Sequence, residues 1–330
     1  MAPPRSTRDS AGSFELNNPD DATPIKELLT IGKALYLVTE KCTYRAQLAD
    51  QVDPKRANLS LAPMFQQKIL DHGTDSVILR KTLMQAKVMF RKEFLSIDVE
   101  RAMELSLEAV SEFASMQEAC DAFNSAEQAA INKVEAFARR GSSQTVPSVG
   151  NVRNYCKTYF QKADHFVITL LSIVRLFYPE LKTGKWDDLE SLVKSSYGKA
   201  DPFCKVLDIA VPWLRLIRNA RDCLEHNRPD VVTRDFEPEL DGSIAPPTIE
   251  LKFRGSTIDR CRISTFMQQA ATMLLDSFEM IAVHMSSKRS QPFAGMPLVV
   301  GVLPDDVQAA WHVRFAYGMC DQNGHFVPCG

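Results

Sequence analysis

One periodicity constrains this chain more than any other feature. From about Ser96 or Asp98 to Arg139, the residues Met103, Leu107, Val110, Ala114, Cys120, Phe123, Ala130, Val134 and Phe137 recur at helical spacing and make one apolar stripe. Alanine-rich surroundings suit close packing against other helices, which favours a bundle over a free coiled coil. The same spacing recurs over 24–40, where Ile25, Leu28, Leu29, Ile31, Ala34, Leu35 and Leu37 follow a plausible Thr23 N-cap, and again over 76–94, 152–178 and 257–287. The fold class expected is therefore mainly α, built of helical bundles.

Breaks in the periodicity divide the chain. Residues 139–151, "RRGSSQTVPSVGN", combine Gly, Ser, Thr and Pro without a repeat and predict a linker. The expected layout is a disordered polar tail over 1–23, an N-terminal helical domain over 24–140, a linker over 141–151, a second helical bundle over 152–290 and a C-terminal tail over 291–330. Residues 50–75 read as irregular, with Asp53-Pro54 and His72-Gly73 as breakers. Asp201 and Pro202 mark the N-cap and first position of a helix. After that helix, "VVTRDFEPEL", "DGS" and "IAPPTIELKF" predict a β-hairpin turning at Asp241-Gly242, with Pro246 and Pro247 confining the second strand to an edge. The tail adds strands near 298–303 and a hairpin around Asn323-Gly324.

With 330 residues and 45% hydrophobic side chains the chain can bury a large core. Its net charge of −2 supplies no global field for polyanions, so contact with nucleic acid requires a local patch. The eight cysteines form no CxxC pair and no zinc-type spacing, so neither a metal nor a cofactor is expected. The longest oily run, "FVITLLSIVRLF", is interrupted by Arg175 and is shorter than the roughly 20 residues of a membrane span. The expected location is the cytoplasm, with reduced thiols and no membrane partner.

The chemistry concentrates in "RLIRNARDCLEHNRPD", residues 215–230. Setting Leu224 at the core side of a helix puts Arg215, Asn219, Asp222 and His226 within about 40° of the opposite direction, with Arg218 flanking them at about 120°. A solvated polar face is the plain alternative, with His226 and Arg228 complementing the helix dipole. That alternative requires neither the successive pairs Arg218-Asn219 and Arg221-Asp222 nor the histidine that follows them.

An arginine followed by Asn, Asp or His, then three residues and a histidine near the end of a bundle helix, resembles the signature of the HEPN superfamily, and "RDCLEH" at 221–226 fits it. The region around it, from "KWDDLESLVKSSYGKADPF" to "RDFEPELDGSIAPPTIE", is also similar to HEPN-like bacterial proteins, and the likeness spans about 150–287. The resemblance implies a metal-independent endoribonuclease, such as a toxin or phage-defence effector, acting as a homodimer on RNA and restrained by a regulatory protein such as an antitoxin. It makes His226 the proton-transfer residue, Arg221 the phosphate clamp and Asp222 the group that orients one of them, with Arg218, Asn219 and Arg215 as substrate-binding candidates. The side chains suit that chemistry, because imidazole exchanges protons near neutral pH and guanidinium presents a charged fork to phosphate. Arg221 and His226 lie about 140° apart on an unbroken helix, so convergence needs the helix to end between them or a second subunit to complete the site. An inactive HEPN-like module that binds nucleic acid or protein, and a purely structural helical protein, are the alternatives.

His165 and His284 lie on or beside apolar helix faces and read as core or boundary residues, while His312 and His325 have no partners at ligand spacing. Lys182-Thr183-Gly184-Lys185 echoes a phosphate loop but lacks its glycine-rich lead and reads as a turn.

Overall fold

The computed structural model describes residues 22–137, 145–181, 185–293, 295–321 and 325–329. Most of the expected 1–23 tail, residues 139–144 of the linker, the Lys182–Gly184 part of the turn and the Asn323-Gly324 turn lie outside them. The chain divides into two compact units, 1–107 with 290–330, and 108–289. The expected linker at 141–151 falls inside the second unit.

Helix accounts for about 51% of the protein and strand for about 21%, the strands forming four small sheets, so the fold is mixed α/β and not mainly α. Residues expected to form a helix over 24–40 form β1 (Glu27–Ile31) and β2 (Ala34–Val38), paired antiparallel across Gly32-Lys33. Leu29 and Ile31 are buried while Leu28 and Thr30 are exposed, the period of two that a strand with one buried face requires. Because Leu28, Ile31 and Leu35 also fall at intervals of three and four, the apolar residues satisfied both periods. Gly32, at φ 58°, supplies the positive φ that a two-residue hairpin turn needs.

Next come β3 (Thr43–Leu48), the helical turn α1 (Ala49–Val52) and β4 (Met64–Leu70), completing a four-stranded antiparallel sheet in the order β1-β2-β3-β4. The stretch over 50–75 is therefore not irregular throughout. The expected helix over 76–94 is present as α2 (Val77–Leu79), a π-helical turn at Arg80–Met84 and α3 (Gln85–Met89). Within this unit the buried Gln85 amide donates to the Phe315 carbonyl at 2.8 Å and accepts from the Phe315 N–H at 3.1 Å.

The long stripe forms α4 (Val99–Phe137). The second unit continues with α5 (Val152–Phe177), α6 (Trp186–Tyr197) and α7 (Pro202–Glu225). Asn151 caps α5 by accepting from Asn154 N, and Asp201 caps α7 by accepting from Phe203 N at 2.9 Å, with Pro202 at the first helical position as expected. Tyr159, Phe160, Phe166, Phe203 and Phe278 are among the largest fully buried side chains. The Tyr159 hydroxyl donates to the Met267 carbonyl at 2.7 Å, so this buried polar tip is satisfied.

The hairpin after α7 is present but larger than expected. β5 (Val231–Arg234), β6 (Glu237–Pro238), β7 (Ile244–Ala245), β8 (Thr248–Phe253) and β9 (Ser256–Arg262) form a β6-β7 ribbon turning near Gly242 and a three-stranded sheet in the order β5-β8-β9. Pro246 and Pro247 occupy the gap between β7 and β8, which leaves β8 as a central strand and not an edge. The last long helix, α8 (Ile263–Arg289), starts later than 257 because β9 takes those residues, with Ser256 and Ile258 in and Thr257 and Asp259 out. β10 (Val299–Val302), α9 (Asp305–Trp311), β11 (Phe315–Cys320) and β12 (Phe326–Pro328) complete the first unit. Among the described residues no helix is long and apolar enough to cross a membrane.

Candidate functional site

The candidate residues occupy the last three turns of α7, which packs against α5, α6, α8 and the β5-β8-β9 sheet. Leu214, Ile217, Leu224 and Cys223 face the core and are almost wholly buried. Burial raises the Cys223 thiol, so this sulfur inside the motif is a packing group and no ready nucleophile.

α7 does not break before the histidine. It runs to Glu225, His226 is its C-cap, and Asn227 takes the left-handed conformation at φ 50°. Arg228 N then donates to the Cys223 carbonyl at 2.9 Å, closing a Schellman-type end. Arg153, from the first turn of α5, reaches the same terminus through Asn227 Oδ1 at 3.3 Å and the Cys223 and Val231 carbonyls at 3.4 Å. A guanidinium thus adds a second donor to the Cys223 carbonyl and ties the helix end to β5.

With the helix intact, Arg221 and His226 do not converge within one chain. Arg221 Nε lies 3.8 Å from Asp164 Oδ2, on α5. His226 Nε2 lies 3.4 Å from Asp222 Oδ1, one turn back. The imidazole is 59% exposed. Asp222 is a hub, because Arg228 Nε and Arg254 Nη1 approach its other oxygen at 3.8 and 3.7 Å. These two guanidiniums also lie 5.1 and 4.7 Å from the centre of the Phe253 ring, an aromatic support that holds both near the carboxylate.

The remaining candidates separate. Arg218 is exposed and close enough to Asp164 to favour its ionised form. Arg215 pairs with Asp187 of α6 and contributes nothing to the group around Asp222. Asn219 is buried and donates to Ser256 Oγ of β9 at 2.8 Å, so it fixes the sheet to the helix and is no substrate-binding group. The reading of α7 in isolation put Asn219 on the face away from the core; β9 covers that position.

Arg254, Arg228 and Asp164 were absent from the sequence-derived site. Arg254 stands with Gly255 in a two-residue turn between β8 and β9, both at positive φ as in a type I′ turn. Arg-Gly is an uncommon pair for that turn, which hid it. Asp164 carried a readable signal, being a carboxylate flanked by apolar helix positions 160, 163, 166 and 167. Beside the site, a cleft of about 630 Å³ is lined by residues including Arg153, Asn227, Arg228 and Thr233. Pockets that accept small organic ligands start at about 300 Å³. No group of His, Cys, Asp and Glu among the described residues has a metal-binding arrangement.

Comparison of the chain with protein-family models, with curated proteins and with solved structures finds no match.

Proposed function

We propose that the C-terminal end of α7 is the active face of a HEPN-type, metal-independent endoribonuclease that works as a homodimer in the cytoplasm. The observation that supports this most is the Asp222–His226 contact at 3.4 Å, which brings the polar residue and the histidine of the motif together with the ring exposed. In this reading His226 exchanges protons, Asp222 orients the ring, and Arg228 and Arg254 join Arg221 in binding the phosphodiester.

The reaction transfers the ribose 2′-hydroxyl proton to a base as the 2′-oxygen attacks phosphorus. The bond to the 5′-oxygen then breaks and that oxygen takes a proton, leaving a 2′,3′-cyclic phosphate and a 5′-hydroxyl. In an in-line displacement the attacking 2′-oxygen and the leaving 5′-oxygen lie on opposite sides of phosphorus, out of reach of a single imidazole, and in this reading the histidine of a second copy supplies the other proton transfer. The two-fold arrangement also brings the Arg221 of one chain toward the His226 of the other, which one chain alone does not do.

Cleavage of single-stranded RNA in the presence of a chelator tests the proposal. The wild-type protein is expected to leave 2′,3′-cyclic phosphate ends, with a loss of at least about 100-fold in Arg221→Ala and His226→Ala. RNA binding without cleavage by the wild type, unchanged in both variants, would overturn it. That result would favour a non-cutting binding module, the reading supported by the separate carboxylate partners of Arg221 and His226.

A further inference from the structure

Asp164 is an unusual residue for its position. Its side chain is 5% exposed in the middle of α5. Oδ1 is wholly buried and makes no hydrogen bond. Oδ2 is 3.8 Å from Arg221 Nε, too far for a hydrogen bond, and that arginine is 37% exposed. An ionised carboxylate so poorly satisfied is costly to keep, and an apolar side chain of similar size would pack there at lower cost. Buried polar groups of this kind gather at functional sites.

The charges facing Asp164 come from two helices. Arg218, Arg221 and Asp222 approach from α7, and His165 is its neighbour on α5, itself 3.4 Å from Glu112 of α4. Burial raises the Asp164 carboxyl and Asp222 adds to the rise, while Arg218, Arg221 and His165 oppose it, and the net shift is upward. The carboxyl is thus held between ionising under the positive charge of the arginines and keeping its proton for want of solvent.

Building on the RNA reading above, we propose that Asp164 is a positioning residue for Arg221: its ionised carboxylate holds the guanidinium against α5, and protonation releases it to a phosphodiester, so RNA binding is coupled to proton uptake. The coupling follows from linkage. A bound phosphate competes for Arg221 and adds negative charge nearby, both of which favour the protonated acid. Affinity then falls as pH rises through the range in which Asp164 ionises. Substitution Asp164→Asn removes the competitor at every pH.

Two measurements on the full chain test this. The first is arginine-selective labelling with phenylglyoxal, read by peptide mass spectrometry as the rate at Arg221 relative to Arg254. Near pH 8 the ratio is expected to rise roughly three- to tenfold in D164N, and an unchanged ratio would overturn the inference. Should D164N fail to fold, the wild-type ratio carries the test: it rises as pH falls through the range in which Asp164 takes up its proton, and constancy down to the acid limit of folding overturns the proposal.

The second is fluorescence anisotropy with a fluorescein-labelled 2′-O-methyl oligouridylate, which cannot be cleaved. D164N is expected to bind roughly three- to tenfold more tightly than wild type near pH 8, the two converging at acid pH. Every other titratable group is present in both proteins, so the difference between the two curves reports Asp164. Equal curves, with binding, overturn the proton coupling. A labelling shift without binding by either protein upholds the hold on Arg221 and overturns the RNA reading instead.

Discussion

Asp222 and Asp164 are both carboxylates within reach of arginines, yet their surroundings give them different work. Asp222 gathers His226, Arg228 and Arg254 around a partly exposed carboxylate, at separations of 3.4–3.8 Å, each contributing little to stability. Asp164 is buried, and burial raises its carboxyl. A raised acid in the folded state contributes stability that is present below its unfolded pKa and lost as pH rises through the folded one. Asp164→Asn is therefore expected to match or exceed the wild-type melting temperature near pH 8 and to lose that advantage at acid pH, as calorimetry across pH would read. Asn219 gives the opposite expectation. Its amide satisfies Ser256 in a buried site, so Asn219→Ala is expected to cost about 1–2 kcal/mol in denaturant unfolding while leaving the salt dependence of RNA binding unchanged.

At the level of elements, the β8-β9 turn joins stability to the candidate site. Arg254 and Gly255 both adopt positive φ, at 46° and 78°. Asn before Gly suits a type I′ turn better than Arg does. Arg254→Asn is expected to stabilise the hairpin by about 0.5 kcal/mol and to remove one cation from Asp222. The oligonucleotide should then bind more weakly, with a log–log salt slope shallower by about 0.7. A thermal shift measured beside a salt titration checks both, and a steeper or unchanged slope would exclude Arg254 from phosphate contact. The end of α7 shows how much an element depends on its neighbour. Its Schellman closure and the Arg153 guanidinium converge on the Cys223 carbonyl, and Arg153 also reaches Val231 of β5, which fixes the end that carries His226 at the cap.

For the whole molecule, an intact α7 makes the oligomeric state decisive. The proposal expects a dimer in sedimentation equilibrium, and it expects heterodimers of wild-type and H226A chains to lose cleavage, because each passage needs the histidine of both copies. A monomer with full activity would remove the second copy from the mechanism. Several features were legible in the residues: the long helix α4, though its buried face runs through Ala102, Leu105, Ala109, Phe113 and Met116 and leaves Met103, Leu107 and Ala114 half-buried, the Asp201-Pro202 start of α7, the buried Leu214, Ile217 and Leu224, and a hairpin after α7, because each rests on local periodicity or capping. The N-terminal strands were not, since Leu28, Leu29, Ile31 and Leu35 satisfy periods of 2 and 3.6 together and only sheet pairing selects one. The sequence by itself determined that Asp222 and His226 share a helix face, because i,i+4 spacing is a property of the helix. Tertiary structure alone decided that Arg221 turns to Asp164, that β9 buries Asn219 and that Arg254 joins Asp222, because those contacts join residues that no local period relates.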